Sequence, residues 1–127
     1  MATTVLDASA VLALLFGEAG TETVEDHLDG AAISAVNVAE VAARLADHAI
    51  GEAETRSYLN VLAIPVVDFD EELAYSSGQL RQDTRQHGLS LGDRACLALA
   101  IREGVPAITA DRAWAELDLS VEVVVIR

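Results

Sequence analysis

At 127 residues the chain is long enough for one domain, expected to span residues 1–127 with its own hydrophobic core, and its single cysteine, Cys96, excludes an internal disulfide. The formal net charge is −13 with no lysine among the eight basic residues, a balance that repels a phosphate backbone unless cations intervene and favours a basic protein partner. No uninterrupted apolar run reaches the roughly 18 residues of a membrane span, and no basic segment opens the N-terminus, so the expectation is a cytoplasmic protein with no membrane contact.

The first strand is expected at Thr4–Leu6, followed at once by Asp7 and a helix over Ala8–Phe16 that Gly17 closes. A helix over Thr21–Leu28 and Gly30 lead to a strand at Ala32–Ser34. Helical patterns over Ala35–Ile50 and Glu52–Leu62, divided by Gly51, precede a strand at Pro65–Phe69. The last helices are expected at Asp70–His87, ending at Gly88, and Leu91–Glu103, ending at Gly104, with strands at Pro106–Thr109 and Val121–Ile126 after them. Each of these glycines suits a left-handed residue at a helix end. The alternation predicts an α/β domain with a mainly parallel sheet of about five strands and helices on both faces. In such sheets ligands gather outside the carboxyl ends of the strands.

Four carboxylates are placed to matter under that rule. Asp7 follows the first strand and Asp111, in AITADRAW, follows the fourth, so both emerge at one edge of the sheet; either could equally cap the helix after it. Asp93 stands three residues after Ser90, the spacing of a capping box, yet the helix it opens is apolar almost all round apart from Asp93 and Arg94. Such a helix is buried, and a carboxylate at the edge of a core costs several kcal/mol, far more than the roughly 0.3–1 kcal/mol a helix N-terminus returns. A bound cation would offset it. Glu40 lies with Asn37, Arg44, Asp47 and His48 on the polar side of its helix, opposite Val38, Val41, Ala42, Leu45 and Ala49, where a solvated residue and a cleft-lining one look alike.

Other chemistries fit less well. Cys96, within RACLALAI, reads as a small buried hydrophobe. His27, His48 and His87 lack metal-ligand spacing, and no phosphate-cradling or dinucleotide-binding glycine motif is present. A receiver domain would need a lysine beside its acidic pocket, and the chain has none.

In order along the whole chain, LDASAVLALL, SAVNVAEV, LSLGDRACLALA and AITADRAW resemble the PIN-domain nucleases, in particular the small VapC-type toxins of toxin–antitoxin pairs. The resemblance implies a three-layer α/β/α sandwich, endoribonuclease activity dependent on Mg²⁺ with Mn²⁺ as a substitute, a homodimer, an RNA substrate and inhibition by a cognate antitoxin. It matches Asp7, Glu40, Asp93 and Asp111 to the family's acidic quartet, Ser9 and Thr109 to its hydroxyl positions, Asn37 to the residue one turn before the glutamate and Trp114 to an aromatic after the last acid. Asp7 and Asp93 are then the principal metal ligands and Asp111 completes the site directly or through water, while Glu40 either binds metal or positions the attacking water. Ala110 and Arg112 flank Asp111 where some relatives carry another acid, which weakens the case for a second metal. Mg²⁺ takes oxygen ligands at about 2.0–2.1 Å and commonly binds one or two carboxylates plus waters. Charge adds that the antitoxin should bring a basic segment whose arginine enters the acidic cleft. The alternative to an enzyme is a silent PIN-like module whose acids only dock a basic protein.

Overall fold

The structure, a computed structural model, describes residues 1–127. Five strands, β1 (Thr4–Leu6), β2 (Ala31–Ser34), β3 (Val66–Val67), β4 (Ala107–Thr109) and β5 (Val123–Val125), form one sheet in the order β3-β2-β1-β4-β5. The sheet was expected to be mainly parallel; every pairing in it is parallel. The helices are α1 (Ala8–Phe16), α2 (Thr21–Asp26), α3 (Ala35–Ala46), α4 (Glu52–Leu62), α5 (Glu71–Asp83) and α6 (Leu91–Glu103), with short 3₁₀ turns at Arg85–His87 and Arg112–Glu116.

Because side chains alternate across a strand, β1 feeds two cores. Leu6 and Ile108 point into one, with Val11, Val24, Val41, Leu45 and Leu59 of α1 to α4. Val5 and Ala107 point into the other, with Leu73, Leu80, Leu97 and Leu99 of α5 and α6 and with Trp114. Helices therefore cover both faces, as the alternation of elements predicted, and the molecule is the three-layer α/β/α sandwich that the resemblance implied. Strand order reverses between β1 and β4, where Leu6 pairs with Ile108 and the Asp7 N–H donates to the Ile108 carbonyl at 2.9 Å. That reversal point is where an open parallel sheet leaves a crevice at its carboxyl edge.

Several boundaries differ from expectation for identifiable reasons. β3 keeps only two of the five residues predicted, because its partner β2 stops at Ser34, which turns away as the N-cap of α3 and accepts from Val36 N at 3.2 Å. α2 ends at Asp26, where the His27 N–H bonds back only three residues, to Val24. α3 ends at Ala46 because Ala49, at φ 61°, takes the left-handed conformation and lets the Ile50 N–H return to the Leu45 carbonyl. Gly51, predicted to be that left-handed residue, is extended at φ −85° and caps α4 instead. Gly30 is left-handed as expected, at φ 82°, in the turn that enters β2 and away from a helix end.

Ala63 ends α4 in the same left-handed way, at φ 56°, with the Ile64 N–H bonded to Leu59. A Cβ in that conformation costs roughly 1–2 kcal/mol, partly offset by the greater unfolded-state freedom of glycine. Ala63→Gly should therefore stabilise the fold by about 0.5–1 kcal/mol, read as a rise in melting temperature of a few degrees. An unchanged or lower melting temperature would show that the turn is unstrained.

Candidate functional site

Asp7 occupies the N-cap position of α1 without capping it. The residue is only 4% exposed, and Oδ2 accepts instead from the Ser9 hydroxyl at 2.7 Å and the Thr109 hydroxyl at 2.9 Å. The two hydroxyls lie 3.2 Å apart and are themselves fixed by backbone: Ala110 N donates to Ser9 Oγ at 2.9 Å and Asp111 N to Thr109 Oγ1 at 3.1 Å. The end of β4 thus clamps the residue that ends β1. Burial drives the Asp7 pKa up to about 6, against the two hydroxyl bonds that lower it and with smaller upward pushes from Asp93 and Glu40.

Asp93 forms the expected capping box, with Ser90 N donating to Oδ2 at 2.9 Å and Ser90 Oγ accepting from Asp93 N at 3.1 Å. The helix it opens is buried along Ala95–Ala100, as its composition required. Glu40 is exposed on α3. Its Oε1 accepts from Asn37 Nδ2 at 2.7 Å, and the same amide donates to the Gly92 carbonyl at 3.0 Å, tying α3 to the first turn of α6. Asn37, which the helical wheel placed on the polar side, is fully buried by this tertiary contact, and its Oδ1 has no partner. Gly92 was not singled out from the sequence. A Cβ there would overlap both oxygens and Cδ of Glu40, so only glycine leaves room for that carboxylate; a lone glycine in a first helical turn gives no such signal by itself.

Asp7, Glu40 and Asp93 line one open cleft of about 470 Å³ with Ser9, Arg44 and Asp47. Asp111 lies off that lining, at the start of the 3₁₀ turn, where Oδ1 accepts from Ala113 N at 3.0 Å. Trp114 is fully buried in the core and packs there as a hydrophobe. Cys96 is buried too; desolvation, then Asp7, Asp93 and Glu40, push its thiol well above the usual range and leave it inert. The roomiest hollow, about 720 Å³ between α3 and α4, is mostly apolar and contains none of the four acids.

One pattern unites the acids. Each has one oxygen tied to the protein (Asp7 Oδ2, Glu40 Oε1, Asp93 Oδ2 and Asp111 Oδ1) while the other accepts nothing from it. No three His, Cys, Asp or Glu side chains stand close enough to enclose a metal ion by themselves. The donor set is all oxygen, and Mg²⁺ needs only one or two carboxylates if water fills the remaining positions, so the residues fit a partly hydrated ion. Oriented, half-free carboxylates are the ligands such an ion takes.

A family model described as PIN domain matches residues 4–119. The chain belongs to the PIN domain family. No curated protein sequence matches this PIN domain. Among solved structures it is similar to VapBC2 of Rickettsia felis bound to a promoter DNA fragment, with TM-score 0.71 and 17% identity over 94% of this chain and 96% of that one. It is similar to Mycobacterium tuberculosis VapC20, described as a sarcin–ricin loop cleaving toxin, with TM-score 0.69 and 16% identity over 94% and 98%. VapBC-5 of the same organism gives TM-score 0.63 and 23% identity over 98% and 99%. At these identities the likeness extends to the fold of the PIN domain.

Proposed function

We propose that this PIN domain is a metal-dependent endoribonuclease and the toxin of a VapBC-type pair. The observation that carries the reading is the arrangement of Asp7, Glu40 and Asp93 around one cleft at the strand-order reversal, each with one oxygen anchored and the other free. Asp7 and Asp93 would hold Mg²⁺ through their free oxygens. The ion, when bound, orients and activates water and neutralises charge on the phosphoryl oxygens. Ser9 and Thr109 keep Asp7 from rotating, and the Asp111 backbone keeps Thr109 in place. Glu40, pinned by Asn37, holds the water that attacks phosphorus as the bond to the leaving oxygen breaks. The Asp111 carboxylate reaches the site through water.

The fold relatives that carry an antitoxin support the partner half of the reading. The apolar hollow lined by Val38, Ala42, Leu59 and Ile64 can seat an apolar helix, and a basic segment following it would meet the acidic cleft with an arginine. α1 offers little for this purpose, since Val11 and Ala13 are fully buried in the core. Structured RNA incubated with the purified protein should be cut in Mg²⁺ or Mn²⁺ and left intact in excess chelator. Equal cutting in chelator would overturn the metal-dependent reading, and no cutting with any divalent ion would leave a silent binding module.

A further inference from the structure

With a net charge of −13 and eight arginines as the only cationic side chains apart from histidine, the places that can hold RNA phosphate are set by which arginines are free. Five are engaged. Arg56 pairs with Glu52, Arg102 with Asp70 and Arg127 with Glu18, while Arg94 donates to the Ser77 carbonyl and Arg112 to the Arg127 carbonyl. The side chains of Arg44, Arg81 and Arg85 make no hydrogen bond or ion pair. Arg44 lines the acidic cleft from α3.

Arg81 and Arg85 stand one turn apart, at the end of α5 and in the 3₁₀ turn after it, and line a recess of about 120 Å³ with Thr84, Gly88 and Leu89. No acid lines this recess; Asp83, the one carboxylate in the segment, lies outside it. Leu89 of the recess is followed in the chain by Ser90, whose N–H holds Asp93 Oδ2, so one short segment links the recess to the Asp93 end of the cleft. An arginine in the last turn of a helix can serve the helix carbonyls, which accounts for Arg81. Arg85, beyond α5 and on the same recess, opens a 3₁₀ turn of only three residues, too short for a comparable dipole, and its side chain has no bonded partner.

We propose that Arg81 and Arg85 bind a phosphate of the substrate strand next to the one that is cut, with Arg44 holding the strand from the α3 side of the cleft. The inference rests on the RNase reading. It answers a problem that reading creates, because the acids that bind a cation repel the rest of the strand, and guanidinium forks on either side offset that repulsion locally.

The test compares wild type, the double variant Arg81→Gln/Arg85→Gln and, as a control of similar exposure outside the recess, Arg56→Gln. Steady-state cleavage of a short oligoribonucleotide and binding of a non-cleavable analogue are followed across salt concentrations in Mg²⁺. The double variant should raise KM about tenfold with kcat within about twofold, and the slope of log affinity against log salt should become shallower by about 0.7 for each phosphate no longer neutralised. Arg56→Gln should change neither. A double variant with wild-type KM and slope would overturn the anchor and leave the nuclease intact; so would an equal effect in Arg56→Gln, which would mark a general charge effect. Arginine-dependent binding of the analogue by a wild-type protein that cuts nothing would support the anchor and overturn the nuclease reading.

Discussion

Replacing Asp7 by asparagine should abolish RNA cleavage and, without metal, make the protein more stable. Cleavage should fall by roughly 10²–10³ or more, as when a group that stabilises transition-state charge is removed. The stability effect follows from burial. A carboxyl raised from 3.8 to about 6 by folding holds its proton more tightly in the folded state than in the unfolded one, a difference of roughly 3 kcal/mol. Above pH 6 the ionised form carries that whole cost; as pH falls from about 6 toward 3.8 the folded state takes up the proton and the cost is relieved. Asparagine keeps an oxygen for Ser9 and Thr109 and carries no charge. Metal-free Asp7→Asn should therefore melt higher than wild type at neutral pH, by up to about 3 kcal/mol, with the advantage shrinking below pH 6. Mn²⁺ stabilises only the wild type, by about 2.7 kcal/mol at a hundredfold excess over Kd and about 4.1 kcal/mol at a thousandfold excess, so it should first close the gap and then reverse the ranking as its concentration rises. A variant that cuts RNA at the wild-type rate, or one destabilised at neutral pH, would contradict this account of Asp7.

Gly92→Ala should separate folding from activity in the opposite sense. Position 92 lies in the first turn of α6, where alanine suits the helix better than glycine by up to about 1 kcal/mol. The atoms in the way of the new methyl belong to the end of the flexible Glu40 side chain, which can swing aside at little cost. The melting temperature without metal should thus hold or rise. Glu40 would lose its bond to Asn37, and cleavage should fall about 10–100-fold, less than the roughly 10²–10⁴ a positioned base contributes, because the carboxylate is displaced and not removed. Shortening the acid makes room for the methyl, so Glu40→Asp combined with Gly92→Ala should cost less than the sum of the two single changes. Wild-type kcat in Gly92→Ala would mean that the present position of Glu40 has no part in turnover.

Much of this molecule could be read from its residues where local signals suffice. α1, α4 and α6 begin and end where periodicity and flanking residues placed them, and the Ser90–Asp93 box formed as spelled. What escaped depended on partners distant in sequence. Asn37 looks solvated on a helical wheel until α6 arrives to bury it, and β3 looks five residues long until β2 turns away. Asp7 and Asp111 carry the same capping signal, yet only Asp111 caps, because Ser9 and Thr109 claim the Asp7 carboxylate. Gly92 could not have been found without knowing what lies opposite it.

The sheet ends on one side in the two residues of β3 and on the other in the three of β5. Edges this short give an incoming chain almost no ladder of free N–H and C=O groups to extend, which guards against adhesion between copies through their backbones. A protein partner would then meet the molecule through side chains, where every residue contributes its own shape and charge. Recognition of that kind changes with a few substitutions, which a shared backbone zipper would not allow.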